Sequence, residues 1–263
     1  MPFASAESGK IAYRKDGDTG PVVFLIHGTG GDSTSNWEEV AKTLSRDHIV
    51  IRPDYSGSGD TKDDGRPLTL EYLCEQIMSV ANHEGLNRFS IAGFSLGAAV
   101  AARIAADHPN RINSLILIAG FAKPDPRLKI EFELWRDLIA TNRLAMARLV
   151  LLTGFGPDAL SSWGFEAVDQ AARDIVATQN WEGMARQVEL DLTLDISDVP
   201  ERITASTLVI GSIHDHMVPP SHSKALRNAI KGASYVELPT GHLAPMERPD
   251  LISQEIRRFL SRA

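Results

Sequence analysis

The chain has 263 residues, of which 43% are apolar and 23% charged, as is ordinary for a soluble globular protein that buries a sizeable core. Its formal net charge of −7 provides no basic surface for nucleic acid, so we expect no nucleic-acid partner. A single cysteine excludes an intrachain disulfide, and the lack of a signal-like start or a membrane-spanning apolar run predicts a cytoplasmic protein with no membrane partner.

The first part of the chain alternates short apolar runs with turn-rich loops. Residues 9–15 are predicted to form an edge strand, and residues 16–21 a turn. The run Val22–Ile26 is continuously apolar, which is typical of a strand covered on both faces in a parallel sheet. A glycine-rich loop, residues 27–31, follows at the carboxyl end of that predicted strand.

The next elements repeat this order. Residues 37–45 are predicted as a helix, residues 49–51 as a strand, and residues 54–59 as a loop on the same edge of the sheet. Residues 69–84 have helical spacing with one apolar face. Cys74 belongs to that face, so we interpret it as part of the core rather than as a nucleophile.

The pentapeptide at residues 93–97, Gly-Phe-Ser-Leu-Gly, lies between the apolar run Phe89–Phe94 and the alanine-rich segment Leu96–Asp107. A strand that turns into a helix within one residue strains the backbone there, and glycines two positions to either side leave room for it. This context predicts a nucleophile elbow with Ser95 at its tip. Alone the pattern is weak, because it occurs by chance in roughly one chain in ten of this length.

The remaining core elements continue the alternation of strand and helix. Residues 115–118, 207–210 and 235–238 are predicted strands, and residues 221–229 and 249–260 are predicted helices. Strands separated by helices predict an α/β fold, with a parallel sheet and helices on both faces. In such sheets the carboxyl ends of the strands carry the chemistry.

Residues 122–203 contain helical patterns but no convincing strand. We interpret them as a helical cap inserted into a core formed by residues 1–121 and 204–263. The segment is rich in aromatic residues, namely Trp135, Trp163, Trp181, Phe132, Phe155 and Phe165. Two interpretations stay open: the aromatic rings only pack the cap helices together, or some of them face a cleft that the cap covers. The second predicts a substrate with an apolar or aromatic portion.

A serine nucleophile needs a base, and His242 is the best placed of the eight histidines. It follows the last predicted strand, and Gly241 before it allows the chain to turn. We expect His27 to shape the glycine-rich loop by hydrogen bonding. Three histidines lie at element boundaries, namely His48, His83 and His108. Three more raise the possibility of a zinc site, which we do not favour because no Cys or His pair at ligand spacing accompanies them: His214, His216 and His222.

The acid that orients the histidine is assigned to Asp215, in the loop after the predicted strand at residues 207–210. The resulting order of Ser95, Asp215 and His242 is the one associated with a nucleophile elbow. Asp125 is the main rival, because it follows the strand before the cap. A capping role for Asp215 is less attractive, since it precedes the next predicted helix by too many residues.

Two backbone amides are expected to stabilise the oxyanion of a tetrahedral intermediate. The Leu96 amide lies at a predicted helix N-terminus, where the helix dipole helps. The Thr29 amide is the choice from the glycine-rich loop. Phosphate binding by this loop is disfavoured, because Gly30 and Gly31 precede neither a Lys-Ser/Thr pair nor a complete dinucleotide motif.

Five motifs stand in a characteristic order, at residues 27–31, 54–59, 93–97, 215–219 and 241–249. With them the sequence resembles the α/β-hydrolase fold superfamily, and more narrowly its capped branch of serine esterases, lactonases and haloperoxidase-like enzymes. The resemblance implies a mostly parallel, doubly wound, eight-stranded sheet with a helical cap inserted after the sixth strand. Ser212 departs from the pattern, since many members have glycine there.

The resemblance also implies roles for individual residues. Ser95 would be the nucleophile, His242 the base and then the acid, Asp215 the orienting carboxylate, and Thr29 and Leu96 the oxyanion donors. No metal and no cofactor are implied. Serine at the elbow disfavours epoxide hydrolases and haloalkane dehalogenases, which have aspartate in that place.

The expected activity is hydrolysis of a small carboxylic ester, lactone or thioester with an apolar portion, through an acyl-enzyme on Ser95. Carbon–carbon bond hydrolysis and perhydrolysis by the same triad stay open, as does a ligand receptor or scaffold that retains the triad. The predicted partner is a small ester-like substrate, and the protein is expected to be a monomer or homodimer. The candidate substrate contacts are Phe94, Phe121, Trp135, Trp163, Trp181, Met217 and Leu243.

Overall fold

A computed structural model describes residues 1–7 and 9–262 of the chain, and its centre is an eight-stranded sheet. The strands are β1 (Phe3–Ala6), β2 (Gly9–Asp16), β3 (Val22–Ile26), β4 (Ile49–Pro53), β5 (Phe89–Phe94), β6 (Ile112–Ile118), β7 (Ser206–Ser212) and β8 (Ser234–Leu238). They lie in the order β1-β2-β4-β3-β5-β6-β7-β8. β2 is antiparallel to both of its neighbours, and all other pairs are parallel. The predicted α/β class with a mostly parallel sheet is therefore confirmed.

The prediction that residues 9–15 form the edge strand is wrong. β1 pairs on the outer side of β2, with Phe3 opposite Ala12, and is itself the edge. A strand as short as β1 shows too few residues for an alternating pattern, so its conformation is decided by pairing with β2. Gly9 allows the chain to turn into β2, because its φ of 129° is accessible mainly to glycine.

Helices cover both faces of the sheet and fill the segment between β6 and β7. In the described part of the chain they are α1 (Glu38–Leu44), α2 (Leu70–His83), α3 (Leu96–Asp107), α4 (Pro126–Thr141), α5 (Arg143–Gly154), α6 (Pro157–Ser162), α7 (Phe165–Thr178), α8 (Trp181–Thr193), α9 (Pro220–Ala229), α10 (Ala244–Glu247) and α11 (Pro249–Leu260). A short 3₁₀ turn, Pro200–Arg202, precedes β7. The sheet is thus doubly wound, as predicted.

The two faces of the sheet bury separate cores. Val23 and Leu25 pack with α1 and α11, whereas Phe24 and Ile26 pack with α2 and α3. Because successive strand residues point to opposite faces, β3 has to be apolar at every position. Cys74 lies on the buried face of α2, next to α3, and burial raises the pKa of its thiol, in agreement with the predicted packing role.

Residues 122–203 carry α4 to α8 and contain no strand, as predicted. Within this segment α4 packs against α5 and α8, and α5 packs against α7. That these residues form a unit distinct from the core stays a prediction. Among residues 1–7 and 9–262, no helix has the length and apolar character needed to cross a membrane.

Candidate active site

Ser95 occupies a strained turn between β5 and α3, with φ of 54° and ψ of −121°. The residues two positions before and after Ser95 are glycines for steric reasons. A Cβ on Gly93 would overlap the carbonyl oxygen of Gly97, and a Cβ on Gly97 would overlap that of His27. The Ser95 amide donates to the carbonyl oxygen of Ile118 at 2.9 Å, which ties the turn to β6. The predicted strand–turn–helix geometry is present.

The structure brings Ser95, His242 and Asp215 together in one hydrogen-bonded row. His242 Nε2 lies 3.1 Å from Ser95 Oγ, and His242 Nδ1 lies 2.8 Å from Asp215 Oδ2. All three side chains are buried or nearly so. The row has the arrangement in which a carboxylate orients an imidazole that accepts the serine proton.

The loop around Asp215 holds the carboxylate in place. Its second oxygen, Oδ1, accepts from the amides of Met217 at 3.0 Å and Val218 at 2.7 Å. Ser212, the departure from the family pattern, accepts a hydrogen bond from the Thr240 hydroxyl at 2.9 Å. Here the serine connects the loop of the acid to the loop of the histidine.

Asp125, the rival acid, has other partners. Its Oδ1 accepts from the Leu128 amide at 2.9 Å and caps α4, and its Oδ2 lies 3.3 Å from His222 Nε2. His222 therefore pairs with a capping carboxylate. Within residues 1–7 and 9–262, no cluster of three or more His, Cys, Asp or Glu side chains is arranged to hold a metal ion.

The glycine-rich loop runs directly beside the nucleophile, because a Cβ on Gly28 would lie 2.9 Å from Ser95 Cβ. The amide of Gly28 donates to Asn36 Oδ1 at 3.0 Å, and the amide of Gly30 donates to Gln187 Oε1 at 2.8 Å. In contrast, the amides of Thr29 and Leu96 donate to no acceptor in the described part of the chain. These are the two amides that the sequence predicted as oxyanion donors, and their role stays a prediction.

His27 shapes this loop, as expected from the sequence. Its Nδ1 lies 2.9 Å from the Gly28 carbonyl oxygen, and its ring stacks on Tyr55 at 3.8 Å between centroids. Complete burial lowers the pKa of His27 and keeps the ring neutral. The Tyr55 hydroxyl donates to the His27 carbonyl oxygen at 2.9 Å, so the tyrosine supports the same turn.

Helix α8 contributes a polar face that the sequence analysis missed. Gln187 accepts from the Gly30 amide and donates to Ser58 Oγ at 2.8 Å, and Asp191 Oδ2 accepts from Thr29 Oγ1 at 2.6 Å. One turn earlier, a Cβ on Gly183 would overlap the backbone of residue 57. The spacing of residues 183, 187 and 191 places them on one helix face, but polar residues on such a face usually indicate solvent.

Because Gln187 holds the Gly30 amide, we expect Gln187→Leu to lower kcat about tenfold while KM changes less than about threefold. The substitution leaves the partly buried Gly30 amide without its acceptor and frees the neighbouring Thr29 amide from its fixed direction. Steady-state kinetics on a p-nitrophenyl ester measure both constants. Gln254→Leu, an exposed position on α11, is the matched control. A kcat equal to that of the control would contradict the prediction.

Helix α4 is tied to the loop of the acid by Arg127. The guanidinium donates to the carbonyl oxygens of His216 and, at 2.9 Å, Met217, and it pairs with Glu131 Oε2 at 3.2 Å. Burial raises the pKa of Glu131 to about 7, against the opposing pull of Arg127. The loop of Asp215 is thus held by α4 as well as by its own turn.

A cavity of about 610 Å³ opens above Ser95 and His242. Its lining includes six of the seven predicted substrate contacts, namely Phe94, Trp135, Trp163, Trp181, Met217 and Leu243. The prediction that Phe121 contacts the substrate is wrong. Phe121 is 1% exposed, packs its ring against Phe132, and does not belong to the lining. Of the other cap aromatics, Phe132 and Phe155 line the cavity, whereas Phe165 is 98% exposed.

Comparison with known proteins agrees with this geometry. Pyrrolizixenacetamide deacetylase of Xenorhabdus hominickii is 47% identical over 252 residues, which cover 95% of this chain and 94% of that protein. A putative carbamate hydrolase RutD of Caulobacter vibrioides is 26% identical over 271 residues, covering 97% and 93%. The crystal structure of the enol-lactonase from Burkholderia xenovorans LB400 matches with a TM-score of 0.88 and 27% identity, over 99% of this chain and 100% of that one. The model of the alpha/beta hydrolase family matches residues 22–255, and the chain therefore belongs to that family.

Proposed function

We propose that the protein is a serine hydrolase that cleaves a small carboxylic ester, lactone or thioester through an acyl-enzyme on Ser95. The observation that carries this proposal is the hydrogen-bonded row from Ser95 through His242 to Asp215, at the floor of a largely apolar cavity. Membership of a hydrolase family supports it.

In the proposed reaction, Ser95 Oγ attacks the substrate carbonyl while His242 Nε2 takes the hydroxyl proton. The amides of Thr29 and Leu96 donate to the oxyanion, and the α3 dipole adds to the second of these contacts. His242 then gives the proton to the leaving group, and the acyl group stays on Ser95. Water, activated by the same histidine, attacks the acyl-enzyme and releases the acid.

Amide cleavage is a second candidate. The relative that is 47% identical to this chain is named a deacetylase of an acetamide, whereas the enol-lactonase represents the lactone class. An amide differs mainly in its leaving group, since a departing nitrogen needs the proton from His242 more than an alcohol does. A matched p-nitrophenyl acetate and p-nitroacetanilide pair separates the two bond classes.

The apolar part of the substrate is assigned to the side of the cavity formed by the cap. Indole and phenyl rings from α4 to α8 stand there together with aliphatic side chains, and they provide the desolvated surface that an alkyl or aryl group requires. We expect kcat/KM for p-nitrophenyl esters to rise about three- to tenfold from acetate to butyrate or hexanoate. Values that are flat or falling from acetate onward would contradict this assignment.

A fluorophosphonate probe tests the proposed mechanism. Labelling of the wild type and none of Ser95→Ala is the expected result, because only an activated serine attacks the probe. No labelling of the wild type would favour the receptor or scaffold alternative. If the protein is labelled but releases no acid from esters, carbon–carbon bond hydrolysis or perhydrolysis would be favoured over ester hydrolysis. The cytoplasmic location and a monomeric or homodimeric state stay predictions.

A further inference from the structure

Asp191 on α8 is a buried carboxyl group in the wall of the cavity. It is 1% exposed, and its Oδ2 accepts from Thr29 Oγ1 at 2.6 Å. Its other oxygen, Oδ1, is buried and has no hydrogen-bond partner in the described part of the chain. A buried acceptor without a donor is costly, so its presence in a ligand cavity indicates a contact that the bound ligand completes.

Among the described residues no cation pairs with this carboxyl group, whereas the buried Asp215 pairs with His242. Burial accordingly raises the pKa of Asp191 to about 7. The nearest tyrosine, Tyr55, uses its hydroxyl on the His27 carbonyl oxygen. No donor for Oδ1 is thus found among the described residues.

Trp135 on α4 has a hydrogen-bond donor without an acceptor. It lines the same cavity and is 6% exposed, and its Nε1 donor is buried without an acceptor in the described part of the chain. Helices α4 and α8 pack against each other, and Trp135 and Asp191 both belong to the wall of this cavity. Among the described residues that line the cavity, these two have a buried polar atom without a partner, one an acceptor and the other a donor.

We propose that Asp191 and Trp135 recognise a secondary amide of the substrate that is not the bond being cleaved, an inference that rests on the proposed function. The amide N–H donates to Asp191 Oδ1, and its carbonyl oxygen accepts from Trp135 Nε1. A secondary amide fits because it carries one donor and one acceptor on opposite sides. The Thr29 hydroxyl donates to Asp191, and the Thr29 amide is assigned to the oxyanion site, which places this second amide within a few bonds of the scissile carbonyl.

The test uses p-nitrophenyl esters of N-acetylglycine, 3-acetamidopropanoate and 4-acetamidobutanoate, each beside its N-methyl twin. For at least one spacing, kcat/KM of the N–H ester is expected to exceed that of its twin by about 10- to 100-fold, the range for a hydrogen bond to a charged group. The ratio within each pair cancels general damage to the enzyme.

In Asp191→Asn this ratio is expected to fall close to one, because the side-chain amide still accepts from Thr29 but offers the ligand a donor. Asp191→Ala removes the carboxyl group and is the second variant in which this ratio is measured. Trp135→Phe is expected to lower kcat/KM of both amide esters of a pair relative to p-nitrophenyl hexanoate. Glu189→Gln, at an exposed position of α8, is the control and should keep the wild-type ratios.

A ratio near one at every spacing in the wild type, or a wild-type ratio retained in Asp191→Asn, would overturn the inference. Hydrolysis of the hexanoate ester with labelling of Ser95 would then leave the proposed function standing. Absence of both hydrolysis and labelling would overturn the proposed function itself, so the two failures are distinguishable.

Discussion

Ser95→Ala is expected to lower kcat by about 10⁴- to 10⁶-fold, because the variant lacks the oxygen that we propose forms the acyl-enzyme. His242→Ala should cause a loss of similar size, since a serine hydroxyl without its base is a poor nucleophile at neutral pH. Hydrolysis of a p-nitrophenyl ester, at a protein concentration measured by absorbance, gives both effects. KM should change far less than kcat.

The double variant Ser95→Ala/His242→Ala tests whether the two residues act together. Because Ser95 and His242 act as one unit, removing both is expected to cost about as much as removing either, and the residual rate should reflect binding and the oxyanion donors alone. A double variant that is slower by the product of the single effects would show that the two residues act independently. Thermal unfolding of each variant checks that the fold is retained.

Gly97→Ala is expected to remove about 99% or more of the activity although every catalytic side chain is retained. A Cβ at this position would overlap the carbonyl oxygens of Ile26 and His27, so α3 and the glycine-rich loop have to move apart. A displacement of about 1 Å in a catalytic site can cost about 100-fold in rate. The overpacking should also lower the free energy of unfolding by about 3 kcal/mol.

Gly164→Ala is the matched control for this substitution. Gly164 has a φ of −71°, and no heavy atom lies within 4 Å of the place that an added Cβ would occupy. The free energy of unfolding of this variant should stay within about 1 kcal/mol of the wild type, since the only cost is that of alanine at the N-cap of α7. If Gly97→Ala resembled this control in both kcat and urea unfolding, the close approach at the elbow would have no functional importance.

The proximity of Ser95, Asp215 and His242 was predictable from the sequence because their signals are local and ordered. Ser95 stands between glycines at the end of one apolar run, and Asp215 and His242 each follow a later one. Parallel strands bring their carboxyl ends to one edge of the sheet, so three residues that are far apart in the chain converge there. The topology of the sheet therefore predicted that these three residues lie close together, without knowledge of any side-chain contact.

Side-chain direction in the cap was not predictable in the same way. Phe132 and Phe165 carry the same ring, yet one lines the cavity and the other is almost fully exposed. Aromatic residues on cap helices have several possible neighbours, and composition does not say which one they contact. The volume and wall of the cavity therefore came only from the packed helices.

By itself the sequence determined the fold class, the nucleophile elbow and the order of the triad, since short-range spacing and strand order specify them. The tertiary structure alone decided three features: that β1 rather than β2 is the edge, that α8 holds the glycine-rich loop through Gln187, and that Asp191 and Trp135 keep unpartnered polar atoms in one cavity. The physical reason is common to all three. Periodicity reports that a residue is buried, whereas its partner is chosen by elements that lie far away along the chain.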